Sequence, residues 1–131
     1  MGEKTLVEGL LDDSIELVKK LDVSNDAPTL AAWYFYEDVD QWRLLIAGPP
    51  FDQLLPKKEP IAYQKISVAI SAAGLRSLSI SMVKLIQSDD PLAKALRFLL
   101  RTPPNGVMKA NFSNTTLNGI FIKEMVILRS A

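Results

Sequence analysis

Apolar residues at the start of the chain recur at the spacing of an amphipathic helix, which we predict from Thr5 to Leu21. Acidic residues dominate its first half and Lys19 and Lys20 lie near its end, an order that matches the helix dipole. The apolar stripe of this helix consists of Val7, Leu10, Leu11, Leu17, Val18 and Leu21.

The next two segments, Thr29–Tyr36 and Gln41–Ala47, have the composition of strands and are joined by an acidic turn. If Tyr36 pairs with Gln41 across this turn, one face of the hairpin is wholly apolar, as a strand packed on a core requires. That face pairs Phe35 with Trp42, Trp33 with Leu44, and Ala31 with Ile46. The pattern therefore predicts both the hairpin and its register.

A loop, a helix and a strand are predicted to follow the hairpin. Residues 48–60 contain five prolines or glycines and predict a surface loop. Pro60 opens a predicted helix that runs to Ala73, with Gly74 as its C-terminal stop. From Arg76 to Ile86 apolar residues alternate with serines, which predicts a strand with one light, serine-lined face.

The last third of the chain predicts a helix and a second hairpin. Asp90 is placed to cap a helix that reaches Arg101. Asn118-Gly119 lies between two hydrophobic runs and predicts a hairpin of Val107–Leu117 and Ile120–Arg129. The final strand is apolar on both faces, so we expect it to be central in the sheet or covered on both sides.

The element order α-β-β-α-β-α-β-β predicts an α+β fold, with three helices packed on a mainly antiparallel sheet of about five strands. A length of 131 residues fits one globular domain, residues 1–131. No apolar run reaches the roughly 18 residues that a spanning helix needs, so we expect no membrane partner. The N-terminus shows no signal-peptide pattern, and the expected compartment is the cytoplasm.

The chain contains no histidine and no cysteine. This double absence excludes a Ser-His-Asp triad, a Cys-His dyad, a redox dithiol and the ordinary zinc and haem sites. Carboxylate, lysine and serine chemistry remain, and we identify no cofactor motif. We therefore lean toward a non-catalytic protein.

Charge is divided unevenly along a chain whose net charge is zero. Residues 1–56 carry 11 acids and 4 bases, a net −7, and residues 57–131 carry 4 acids and 11 bases, a net +7. Three interpretations are open: the halves neutralise each other, the split orients a dimer, or a basic face meets nucleic acid.

The densest group of carboxylates is the turn with Glu37, Asp38 and Asp40, which lacks the glycine and the distant glutamate of a calcium loop. A metal-dependent nuclease commonly has an acid-x-lysine tripeptide in a strand, whereas here Lys123 directly precedes Glu124. We expect no metal site, and a carboxylate-metal hydrolase is the third functional hypothesis.

Two groups of side chains are more specific than solubility requires. Lys94, Arg97 and Arg101 recur at near-helical spacing and are the nucleic-acid candidates, although a helix C-terminus also favours cations. The second group lies on the polar side of the first hairpin, where either a covering helix or a partner is expected. These interface candidates are Tyr34, Tyr36 and Arg43.

The aromatic segment at residues 33–36 and the segment Trp42-Arg43-Leu44-Leu45-Ile46-Ala47 resemble those of a group of small uncharacterised bacterial α+β proteins. The resemblance covers about the first 75 residues and implies the fold, with no activity attached. Our first hypothesis is a non-catalytic interaction or accessory module that self-associates. The alternative is weak nucleic-acid binding through the basic C-terminal half.

Overall fold

The structure is a computed structural model, described here over residues 8–131. Its elements follow the predicted α+β order, and the predicted helix start at Thr5 lies outside the described residues. The elements are α1 (Glu8–Val23), β1 (Leu30–Tyr36), β2 (Gln41–Ala47), α2 (Pro49–Asp52), α3 (Glu59–Ala73), a 3₁₀ turn (Ile80–Met82), β3 (Val83–Leu85), α4 (Pro91–Leu99), β4 (Ala110–Leu117) and β5 (Ile120–Ser130).

The strands of the described chain form one five-stranded sheet in the order β3-β2-β1-β5-β4. Three pairings are antiparallel and the pairing of β2 with β3 is parallel, so the sheet within residues 8–131 is mixed. The predicted hairpin register is confirmed, with Tyr36 opposite Gln41 and Trp33 opposite Leu44. The last strand lies between β1 and β4, which confirms its predicted interior place.

Helices pack on both faces of the sheet. On one face, α1 and α3 cover a core that includes Trp33 and Leu44 of the hairpin. The Trp33 indole donates a hydrogen bond to the Ser14 hydroxyl at 3.0 Å, and that hydroxyl donates to the Leu11 carbonyl at 2.8 Å. On the other face, Leu96 of α4 belongs to a second core with residues of β1, β2 and β5.

The short helix α2 departs from the predicted loop, so residues 8–131 contain four α-helices and not the expected three. The prolines of residues 48–60 predict a loop, yet proline also fits the first turn of a helix, because the N–H that it lacks would be unpaired there. Phe51 of α2 is fully buried in the core. The Asp52 carboxylate accepts bonds from the Ser88 backbone N–H at 2.9 Å and hydroxyl at 2.6 Å.

The predicted strand from Arg76 to Ile86 is mostly wrong, because only Val83–Leu85 pairs with the sheet. A carboxylate oxygen of Asp13 on α1 accepts bonds from the Ser77 and Leu78 N–H groups at 2.8 and 2.9 Å. These donors therefore bond to a helix side chain where a strand would bond to its neighbour. A 3₁₀ turn then occupies the next residues.

Helix α4 begins as predicted and ends two residues early, at Leu99. Asp90 caps its start by accepting a bond from the Leu92 N–H at 2.9 Å. Leu100 is already extended, and the Thr102 N–H donates to the Ser130 carbonyl at 2.6 Å. This bond to the end of β5 replaces the helical pattern.

Arg129 of β5 is a fully buried cation. A register shift between Ala31 and Ala32 places Arg129 opposite Ala31, whose side chain lies in the core under α1. Its guanidinium donates two bonds to the Asp22 carboxylate at 2.7 and 2.9 Å, and its Nε donates to the Gly106 carbonyl at 2.8 Å. Burial of this charge is thus compensated by an ion pair and by backbone acceptors.

Further ion pairs join the acidic half to the basic half. Lys65 of α3 lies 3.2 Å from a carboxylate oxygen of Asp26, and Lys109 lies 3.6 Å from one of Glu8. With the Arg129 pair, these contacts neutralise part of the charge split inside the fold, as the first interpretation of that split expects.

The outer strands of the sheet are short or irregular. β3 contributes three residues at one side, and β4 lies at the other. Asn114 in β4 has a left-handed backbone with φ of 48°, and the ladder pairs Ser113 with Glu124 and Thr115 with Ile122 on either side of it. Asparagine tolerates this conformation better than most residues.

We expect Asp22→Ala to lower the free energy of unfolding by about 3 kcal/mol, because it leaves the Arg129 charge buried without its counterion. Chemical denaturation measures the change. Glu16→Ala is the matched control on the same helix, since Glu16 forms an exposed pair with Lys19 at 3.8 Å. The control should cost less than about 1 kcal/mol. Equal losses in the two variants would contradict the importance of the buried pair.

Candidate interaction surfaces

The sheet face under α4 is covered at one end and open at the other. Burial is complete at Leu30 and Ala32 in β1, and it falls toward the β1–β2 turn, where Tyr34 and Tyr36 are half-buried. Nine residues of α4 are too few to cover seven-residue strands from end to end at 1.5 Å per helical residue. A covering helix is therefore present, but it leaves the two tyrosines accessible.

Aromatic rings and one cation form a contact group at this open end. The rings of Tyr34 and Tyr36 meet edge to face, with centroids 4.8 Å apart. Lys84 of β3 places its Nζ 5.1 Å from the centroid of the Tyr36 ring and 3.4 Å from its hydroxyl oxygen. The Tyr34 hydroxyl donates to the Phe121 carbonyl at 3.4 Å.

Arg43 lies directly opposite Tyr34 in the hairpin and therefore on the same face. Its guanidinium donates to the Ser81 carbonyl at 2.6 Å and to the Gln41 amide oxygen at 3.1 Å. The structure thus brings the three predicted interface residues together, and it holds the arginine in one position.

Phe121 and Lys84 belong to this surface and were missed from the sequence. The Phe121 side chain is 51% exposed and lines a shallow cleft of about 280 Å³ with Tyr34 and Tyr36. In the sequence, both faces of the last strand are apolar. That pattern predicted that Phe121 would be buried, so it did not identify Phe121 as a surface residue. Together we call Tyr34, Tyr36, Arg43, Lys84 and Phe121 the tyrosine face.

Negative charge borders the tyrosine face. Burial, and then the neighbouring Tyr36, Asp38 and Glu37, raise the pKa of the Tyr34 hydroxyl above its ordinary value. Both carboxylates also line the cleft. Acidic and basic side chains thus meet around one aromatic centre.

The turn that contains Glu37, Asp38 and Asp40 has the backbone conformation of a tight turn. Asp40 has a left-handed backbone with φ of 53°, which aspartate tolerates in tight turns. Among residues 8–131, no three histidine, cysteine, aspartate or glutamate side chains are grouped to hold a metal ion. The hydrolase hypothesis gains no support from the described part of the chain.

The nucleic-acid candidates lie together on the outer side of α4 and just beyond it. Lys94, Arg97 and Arg101 line a cleft of about 250 Å³ with Phe98. Phe98 is 88% exposed and was not among the candidates drawn from the sequence. We call these four residues the α4 stripe.

A groove of about 420 Å³ between α1 and α3 is the largest of the clefts described here. Leu21 and Ala69 form part of its wall, and the exposed side chains of Ile61 and Val68 border it. Its lining is mainly apolar, and the Lys65–Asp26 ion pair lies at its rim.

Comparisons with protein-family models, with curated proteins and with solved structures found no match. The resemblance to small bacterial proteins therefore stays a prediction. Within residues 8–131, each helix is too short or too polar to cross a membrane.

The raised pKa of Tyr34 predicts an alkaline loss of stability. The folded state holds the Tyr34 proton more tightly than the unfolded state does. The contribution of this hydroxyl to the free energy of unfolding is therefore complete below about pH 10, the ordinary tyrosine pKa. It is lost as the pH rises through the raised value. Urea unfolding between about pH 8 and 11 should show a decline that Tyr34→Phe makes less steep.

Tyr36→Phe is the control for this measurement. It removes one neighbouring group but leaves the burial of Tyr34, which is the largest cause of the shift, so most of the decline should remain. An identical decline in the wild type and in Tyr34→Phe would show that Tyr34 does not contribute.

Proposed function

We propose that the protein is a non-catalytic interaction module that self-associates through the tyrosine face. The observation that carries this proposal is the uncovered end of the sheet, where the tyrosine pair and the half-exposed Phe121 meet solvent. Large aromatic side chains and arginine are enriched at the centres of protein interfaces. An open sheet end with this composition is typical of a contact surface.

The fixed position of Arg43 supports the proposal. Two hydrogen bonds, to the Ser81 carbonyl and to Gln41, hold its guanidinium in place. Ordering a long side chain on binding costs about 0.5–1.5 kcal/mol, and an arginine that is already ordered avoids most of that cost. The Lys84 contact constrains the Tyr36 ring in the same way.

The charge distribution favours a second copy of this chain as the partner. Glu37, Asp38 and Lys123 line the cleft with the tyrosines, Arg43 lies opposite Tyr34 on β2, and Lys84 of β3 contacts Tyr36. A two-fold axis places the same surface of both copies in contact, in opposite orientations. The acids of one copy can then pair with the cations of the other. The same acids would repel the phosphates of a nucleic acid at this face.

The test is the molar mass in solution by light scattering. We expect twice the 14.5 kDa of the single chain at micromolar concentration. Tyr34→Ala and Arg43→Ala should each weaken the dimer by about tenfold or more, the effect of losing a central aromatic or arginine contact.

Lys57→Ala/Lys58→Ala is the control, because this exposed pair lies in the loop between α2 and α3. It should leave the dimer unchanged. A single-chain mass for the wild type would refute self-association, whereas a dimer unaffected by both face variants would place the interface elsewhere.

A further inference from the structure

The α4 stripe follows in part from the helical repeat. Positions 94, 97 and 98 are spaced i, i+3 and i+4, so they fall on one side of α4. Arg101 lies beyond the end of the helix and lines the same cleft. The opposite side of α4 buries Leu92 and Leu96 against the sheet. The stripe therefore faces solvent while its helix is anchored from behind.

Phe98 has no structural explanation within the described fold. Burying a phenylalanine side chain stabilises a protein by about 1.5–3 kcal/mol, and at 88% exposure Phe98 provides almost none of this. The helix dipole explains cations near the end of α4 but gives no preference for a phenyl ring. Lys94 also lies in the first half of the helix, away from that end.

Within residues 8–131, three basic residues of the second half form ion pairs with acids, and the cations of the stripe are among those that do not. Lys65, Lys109 and Arg129 each form an ion pair with an acid of the first half. Within residues 8–131, no carboxylate lies within ion-pair distance of the three stripe cations. The Arg101 Nε instead donates to the Arg97 carbonyl at 3.4 Å. Positive charge that the fold leaves uncompensated is thus gathered around an exposed ring.

We propose that the α4 stripe binds single-stranded nucleic acid, with the Phe98 ring stacked on an unpaired base. Lys94, Arg97 and Arg101 bind the phosphates on either side. An aromatic ring among cations is the common arrangement for single strands, because every base has a face on which to stack. Paired bases do not expose that face, so the stripe prefers single strands to duplexes.

An anionic membrane surface is the competing partner for such a patch, and two features disfavour it. Interfacial helices bury a broad apolar face in the lipid, whereas the broad apolar face of α4 is packed on the sheet. Two of the three cations are arginines, whose planar guanidinium binds phosphate through two parallel bonds and also stacks on bases. This inference does not depend on self-association through the tyrosine face.

The test measures fluorescence anisotropy of labelled oligouridylate and oligodeoxythymidylate of about 12 nucleotides, within the known range of single-strand sites. The two oligomers distinguish RNA from DNA. Binding through three phosphate contacts should weaken with salt, with a log–log slope of about −2. Phe98→Ala should weaken binding by about tenfold through the lost stacking contact.

Arg97→Gln/Arg101→Gln should reduce the salt slope by about 1.4, the share of two phosphate contacts. Lys57→Gln/Lys58→Gln removes the same number of positive charges from the loop between α2 and α3, and it should leave both the affinity and the salt slope unchanged. Because the stripe is exposed, each variant should unfold at the wild-type denaturant concentration.

Three outcomes would overturn the proposal. They are no binding of either oligomer at low salt, equal weakening by the stripe variants and the loop control, and equal affinity for a duplex of the same length. Stronger binding to phosphatidylserine vesicles than to either oligomer would assign the stripe to a membrane surface and would also overturn it.

Discussion

The buried guanidinium of Arg129 is the constraint on which the fold depends. A cation removed from water requires acceptors on several sides, and here they come from segments distant in sequence: Asp22 at the end of α1, the Pro28 carbonyl before β1 and the Gly106 carbonyl before β4. These bonds fix the end of α1 against the last strand. The helix then lies over the sheet face that holds Trp33, and the larger core follows from that placement.

The same placement makes the two faces of the sheet unequal. The longer helices α1 and α3 pack on one face of the sheet, whereas the nine residues of α4 pack on the other. A short cover leaves the turn end of β1 and β2 accessible, which exposes the tyrosine face. The outer side of α4 faces away from the sheet, and Phe98 is exposed there. Both proposed surfaces thus lie on the side of the sheet that α4 covers.

The features predicted correctly from the sequence are those that contacts within one hairpin or one helix determine. The first hairpin was predictable to its register, because only one pairing gathers Trp33, Trp42 and their neighbours on one apolar face. The cap at Asp90 was equally local, since the carboxylate bonds within its own helix.

Tertiary contacts determine the rest, and the sequence pattern does not contain them. The serine-rich segment after α3 does not form a strand at Ser77, because the Asp13 carboxylate, 64 residues away, accepts a hydrogen bond from the Ser77 N–H. Arg129 is spaced like a surface residue, and a register shift turns it inward. The tyrosines and the cations of α4 were candidates from the sequence, but the exposure of Phe98 and Phe121 depends on what the helices fail to cover.

The left-handed backbone of Asn114 has a consequence for how the margin of the sheet meets other chains. An open sheet invites another chain to add a strand at its margin, and natural proteins prevent this with short or interrupted outer strands. Here one margin is the three residues of β3, and the other, β4, contains a left-handed residue among serine, threonine and asparagine. Addition of a strand at either margin is thereby disfavoured. Under the proposed self-association, two copies would then meet through a face of the sheet, and a two-fold contact of that kind closes at two copies.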